Sequence, residues 1–187
     1  PSYKVTKTAE LMKTGHVSQL DINCIVLKHP PQKFEVFEDE VQFIITHDRR
    51  NNFIKNLVSK LDGNTLVLFS RIEAHGEPLF NLINNNVSEG RKVFFVHGGV
   101  DTDERERIRA ITESEKDAVI VASYGVFSTG INIKNLHNVI FASPSKSRIR
   151  NLQSIGRVLR KGKDKDKATL YDIADDCTYN SRKNYTL

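Results

Sequence analysis

Thr65-Leu66-Val67-Leu68-Phe69-Ser70-Arg71 is the stretch on which the reading of this 187-residue chain turns. From Thr65 to Phe69 there is no charge and no alternation of polar with apolar residues. A strand covered on both faces by helices looks like this, and such strands belong to parallel sheets. The pattern recurs in Lys92-Val93-Phe94-Phe95-Val96, Ala118-Val119-Ile120-Val121-Ala122, Asn138-Val139-Ile140-Phe141-Ala142 and Ala168-Thr169-Leu170-Tyr171. Upstream, Ile22-Asn23-Cys24-Ile25-Val26-Leu27 reads as another strand, stopped by Pro30-Pro31, which cannot donate to a ladder.

The intervening segments read as helices. Phe53, Ile54, Leu57, Val58 and Leu61 recur at helical spacing and are closed by Asp62-Gly63-Asn64. Pro78 stands near the start of the next, where its missing N–H is harmless. Asp101-Thr102-Asp103-Glu104 has capping-box spacing, with acids where the helix dipole favours them. Strands alternating with helices predict an α/β fold around a central, mostly parallel sheet. Residues 32–47 read as charged and irregular, with Glu38-Asp39-Glu40 in a loop. Residues 1–21 read as a polar arm with a short helical pattern at 8–13.

Hydrophobic residues make up 39% and charged residues 27% of the chain, the balance of an ordinary globular domain. No window approaches the roughly 18 apolar residues that span a bilayer, and no signal-peptide pattern opens the chain. Cys24 and Cys177 lack metal-ligand spacing, and none of the six histidines forms a ligand pair, so no metal site is expected. Cys24, inside an apolar run, reads as a buried free thiol, and free thiols fit an intracellular setting.

In a parallel sheet, ligands gather at the carboxyl ends of the strands. That edge here carries Ser70-Arg71, His97-Gly98-Gly99, Ser123-Tyr124-Gly125 and Ser143-Pro144-Ser145. Hydroxyls, bare N–H groups and a guanidinium are what a sugar–phosphate backbone is held by. The same residue types also favour ordinary turns, so the row matters more than any one member.

A second constellation is Gln153-Ser154-Ile155-Gly156-Arg157-Val158-Leu159-Arg160, on a helix expected over 147–161. Arg157 and Arg160 lie one turn apart, so both planar forks can face one way. From Lys146 to Lys167 nine Lys/Arg stand against two Asp, a local +7 in a chain of net +5. Composition alone would also allow a solvated basic helix end or a phosphate clamp.

Together these stretches resemble the second (C-terminal) RecA-like domain of a superfamily-two helicase, over essentially the whole chain. Residues 66–71 look like motif IV, Val96-His97-Gly98-Gly99 with Arg105 like the segment after it, residues 121–133 like motif V and residues 153–160 like motif VI. The Gly-Arg-Val-Leu-Arg form is similar to the subgroup of DNA translocases and restriction motor subunits, and most of all to phage recombination helicases. The resemblance implies a three-layer RecA-like domain that closes with a first one on ATP and Mg²⁺. Arg157 and Arg160 would then be catalytic arginine fingers. Gln153, Gly130 and Asn132 would lie at the nucleotide, and Ser70, Arg71, Gly98, Ser123 and Thr129 would hold DNA, single-stranded or branched. Asn132 stands where the family commonly has Asp, Ser123 where Thr is commoner, and Leu159 replaces a second glycine.

No G-x-x-x-x-G-K-[ST] occurs, and the one Gly-Lys pair, Gly162-Lys163, is followed by Asp164. No apolar run ends in Asp-Glu. The first RecA-like domain is therefore expected on a longer polypeptide, with 1–21 as its tail or hinge and 22–187 as the second domain. Alone, the chain is expected to hydrolyse no ATP. A non-catalytic nucleic-acid-binding domain is the alternative of another class. A dinucleotide enzyme is disfavoured, since no G-x-G-x-x-G follows a strand.

Overall fold

The computed structural model describes residues 19–129, 133, 135–144 and 167–177. The described strands are β1 (Gln19–Lys28), β2 (Thr65–Phe69), β3 (Val93–Val96), β4 (Val119–Ser123), β5 (Asn138–Phe141) and β6 (Lys167–Asp176). They form one sheet in the order β1-β6-β5-β2-β4-β3. Every neighbouring pair is parallel, so all six carboxyl ends lie on one edge.

The helices are α1 (Phe37–Thr46), α2 (Asp48–Lys60), α3 (Glu77–Asn84), α4 (Thr102–Ser114) and α5 (Tyr124–Thr129). Strand alternation sorts the core onto two faces. Leu66, Leu68, Ile120, Ala122, Val139, Phe141 and Leu170 pack with Ile108 of α4 and Val126 and Phe127 of α5. Val67, Phe69, Val119, Val121 and Ile140 pack with Ile54 and Val58 of α2 and Leu79 and Ile83 of α3. This is the helix–sheet–helix sandwich that the uninterrupted apolar runs predict; all five residues of β2 are buried.

Two expectations are corrected. The segment read as irregular contains α1, in which Val41, Ile44 and Ile45 are buried. With Phe37 they keep helical spacing. Glu38, Asp39 and Glu40 occupy its first turn, where negative charge meets the positive end of the helix dipole. Cys24 is exposed, not buried. It lies on the outermost strand, β1, between Ile22 at 52% and Val26 at 51% exposure. The expected helix at 8–13 and the arginine helix at 147–161 lie outside the described residues.

At the amino ends of the strands, Asn64 is fully buried and ties four segments together. Its amide nitrogen reaches the carbonyls of Thr112, Glu115 and Asn135 at 2.8–2.9 Å, and its Oδ1 accepts from Ala118 N–H at 2.7 Å. Gly63 before it has φ +88°, and a Cβ there would come within 2.7 Å of the His137 ring. Both demands select glycine.

Candidate functional site

The loops after β2, β3 and β4 carry Ser70 and Arg71, Gly98, and Ser123 to the same edge of the sheet. Ser70 and Gly98 are exposed, and Arg71 and Ser123 half-buried. A Cβ on Gly98 would meet nothing within 4 Å, so its surface is open to approach. Its carbonyl accepts from Arg105 Nη2 at 3.1 Å, and Arg105 Nε also holds the Val100 carbonyl at 2.7 Å. Arg105 thereby fastens the loop after β3 to the start of α4. Asp101 caps that helix through Glu104 N–H at 2.8 Å, as its spacing predicts. At β4, the Ser123 hydroxyl accepts from Val126 N–H at 3.4 Å, which serves the opening turn of α5.

Arg71 is already engaged. Its Nη1 donates to Gln42 Oε1 at 2.8 Å and its Nη2 is ion-paired with Glu38, both on α1. The sequence reading missed this contact together with the helix that carries it.

Ser143 departs from the expected row. It is 2% exposed, and its hydroxyl accepts from Ser70 N–H at 3.0 Å and lies 2.7 Å from His75 Nδ1. The opposite ring nitrogen of His75 is 3.1 Å from Asn51 Oδ1. Asn51 uses its amide N–H on the Ile45 carbonyl at 2.9 Å, so its oxygen is what faces His75. His75 therefore carries its proton on Nε2 and accepts from Ser143 at Nδ1. This chain of bonds fixes the loop after β2 to β5, α2 and α1.

His75 reaches that place through a single π-helical turn, Ile72–Gly76, closed by Gly76 N–H on the Arg71 carbonyl at 2.9 Å. A Cβ on Gly76 would come within 2.5 Å of the Phe69 ring, which keeps this turn tight against β2. Burial first, and then the charge of Arg50, push the His75 pKa down to about 3. It is a neutral hydrogen-bonding piece at physiological pH.

Behind it lies a buried ion pair. Arg50 Nε is 2.8 and 3.0 Å from the two Asp175 oxygens, and Nη1 donates to the Ala142 carbonyl at 2.6 Å. His29 Nε2 adds a 2.7 Å contact to Asp175. Together these groups bind the carboxyl ends of β1, β5 and β6 to α2. None of them was singled out from the sequence, where an Arg opening a helix and an Asp ending a strand look like surface residues.

Gly130, Asn132, Gln153, Arg157 and Arg160 lie outside the described residues, as does the side chain of Thr129. Among the described residues no cluster of three His, Cys, Asp or Glu could hold a metal ion. No described helix is long and apolar enough to cross a membrane.

A parallel sheet in this order, with loops presented at its carboxyl edge, is the frame of a helicase motor domain. The chain belongs to the helicase conserved C-terminal domain family, which matches residues 49–162; it is the second RecA-like domain of a superfamily-two helicase. It is 41% identical, over 98% of its length, to the ATP-dependent DNA helicase uvsW of Enterobacteria phage T4, and spans 38% of that protein. The crystal structure of T4 UvsW superimposes with a TM-score of 0.73, covering 90% of this chain and 36% of that one. The E. coli DEAD-box protein SrmB, at 14% identity and a TM-score of 0.55, covers 85% of this chain and 78% of its own and shares the fold.

Proposed function

We propose that this chain is the C-terminal motor domain of an ATP-dependent DNA helicase that translocates on branched DNA and remodels it in recombination, replication and repair. The observation that carries the reading is the 41% identity, across nearly the whole chain, to a phage DNA helicase. The carboxyl-edge loops support it, since Ser70 and Gly98 are exposed there with Arg71 and Ser123 beside them, groups of the kind that hold a DNA backbone; Thr129 would join them.

ATP with Mg²⁺ would supply the driving phosphoryl transfer, at the junction with a first RecA-like domain of the same polypeptide. Arg157 and Arg160 would stabilise charge on the transferring oxygens, an effect worth ~10³–10⁵ in rate for arginine fingers. Gln153, Gly130 and Asn132 would position the nucleotide. The setting would be intracellular, the host cytoplasm if the chain is phage-encoded.

The test is DNA-stimulated ATP hydrolysis by a polypeptide carrying both RecA-like domains, with Arg157→Ala and Arg160→Ala beside it. Turnover should fall ~10²-fold or more while DNA binding persists. If instead DNA binding falls while DNA-independent turnover survives, the two arginines belong to the strand grip and the assignment fails. The chain alone should show no turnover; hydrolysis that Arg157→Ala abolishes would overturn that part.

A further inference from the structure

Ser143 follows β5 and stands where three neighbouring strands end. In the sheet order β5-β2-β4, the loop after β2 carries Ser70 and Arg71, and Tyr124 comes directly after Ser123 at the end of β4. Ser143 is bonded to both places. Its hydroxyl oxygen accepts from Ser70 N–H at 3.0 Å, and its carbonyl accepts from the Tyr124 hydroxyl at 3.1 Å. Its own N–H reaches back to the Leu68 carbonyl at 3.3 Å, beside the 2.9 Å bond of Ala142 N–H to the same oxygen. One buried residue thus ties the end of β5 to the ends of two other strands, reaching across β2 to meet β4.

The bonds have a fixed direction. His75 Nε2 gives its hydrogen to Asn51 Oδ1, so Nδ1 takes the hydroxyl hydrogen of Ser143 at 2.7 Å, and a Ser143 lone pair is left for Ser70 N–H. The donors point one way along Ser70, Ser143, His75 and Asn51, an arrangement in which each bond strengthens the next. Because the Ser70 N–H is spent inward, what Ser70 has left for a ligand is its hydroxyl. On the other side, the Tyr124 ring packs edge-on against Phe141 of β5, with centroids 5.7 Å apart. The ring that brings the second bond to Ser143 therefore rests on β5 as well.

We infer that Ser143 is a positioning residue of the strand grip: it sets the Ser70-Arg71 loop and the Ser123 turn at the spacing at which both engage one DNA strand. Phosphates repeat along a strand, so two groups that hold it reinforce each other only when their separation allows simultaneous contact. A loop ordered before the strand arrives also avoids the cost of being ordered on binding. Ser143 is 2% exposed, so it acts through Ser70, Arg71 and Ser123 and not by touching DNA itself. The inference rests on reading these loops as a grip on DNA.

The experiment uses the polypeptide with both RecA-like domains and compares it with Ser143→Ala, Tyr124→Phe, Arg71→Ala and the Ser143→Ala/Arg71→Ala double variant. Three quantities are read: DNA-independent ATP turnover, the DNA concentration giving half-maximal stimulation, and single-stranded DNA affinity against salt. Ser143→Ala should raise the half-maximal DNA concentration about three- to tenfold, the effect of a single hydrogen bond, and leave DNA-independent turnover in place. It should also lower the salt slope by about 1, as Arg71 loses its phosphate. On top of Arg71→Ala it should add little, because both changes remove the same contact. Tyr124→Phe keeps the buried chain from Ser70 to Asn51 and should raise the half-maximal concentration about threefold; it decides alone if Ser143→Ala does not fold. Three results would each overturn the inference and leave Ser143 as packing: a loss additive with that of Arg71→Ala, a fall in DNA-independent turnover equal to that in stimulated turnover, or an unchanged half-maximal concentration in the folded variants. A wild-type polypeptide that neither binds DNA nor is stimulated by it would instead sink the helicase reading, and the inference with it.

Discussion

Arg50 and Asp175 are 125 residues apart in sequence and form an ion pair buried on both sides, at 2.8 Å. Arg50 stands in the first turn of α2 and Asp175 near the end of β6. Their contact makes the outer strands of the sheet answer to a helix packed over its centre. Removing Asp175 strands the buried Arg50 charge, which typically costs about 3–5 kcal/mol, while removing Arg50 leaves Asp175 buried with its His29 contact but without its guanidinium. Asp175→Asn and Arg50→Met should each lower the urea midpoint accordingly. The double variant should lose clearly less than the sum of the two, because no stranded charge remains. Additive losses would mean that the pair is not coupled.

His75 makes the fold sensitive to acid. Its folded pKa of about 3 lies below the ordinary 6.5, so between those values the unfolded chain binds the proton and the folded one does not. Stability from this group is complete above about pH 6.5 and falls as the pH drops toward 3, by about 1.4 kcal/mol per pH unit. In His75→Gln that contribution to the slope should vanish, whatever the variant loses at neutral pH. An unchanged slope, or a His75 ring that titrates near pH 6.5 by NMR, would show that the ring is not held neutral.

The two thiols should behave oppositely. Cys24 is exposed on β1, whereas burial, with Asp175 and Glu40 next, pushes the Cys177 thiol up to about 12. An alkylating reagent at pH 8 should label Cys24 in the native chain and reach Cys177 only on unfolding, since the thiolate is the nucleophile. Native labelling of Cys177 at a rate like that of Cys24 would contradict the buried position.

The sheet was legible because strands covered on both faces have nothing polar to interrupt them; Val67 and Leu68 face opposite layers and both are buried. The same rule failed at Cys24, because an outermost strand can carry an apolar run without a cover. α1 was hidden by its own charges, which look like a solvated loop until Val41, Ile44 and Ile45 are placed on one face. The carboxyl-edge row followed from the parallel sheet alone, but which members have free donors did not. Ser143 is spent on Ser70 and His75, partners that lie 73 and 68 residues away and leave no local pattern.

Arg71 gives the sharpest test of the strand grip. Its guanidinium is half-exposed and held by Glu38 and Gln42, so a DNA phosphate must compete with a carboxylate for it. The Glu38–Arg71 pair is solvent-facing, and such pairs contribute only about 0–1 kcal/mol, a contact that a phosphate can displace. Glu38→Gln removes the competitor and a negative charge beside the row together. It should tighten single-stranded DNA binding a few-fold at low salt, with the gain fading as salt screens it. Arg71→Ala should weaken binding across sequences and lower the salt slope by about 1. In the double variant the Glu38→Gln gain should largely disappear. Should Glu38→Gln leave affinity unchanged while Arg71→Ala still weakens it, Glu38 does not restrain the arginine. Should neither substitution move affinity or slope, Arg71 is a scaffold residue and the grip lies elsewhere along the edge.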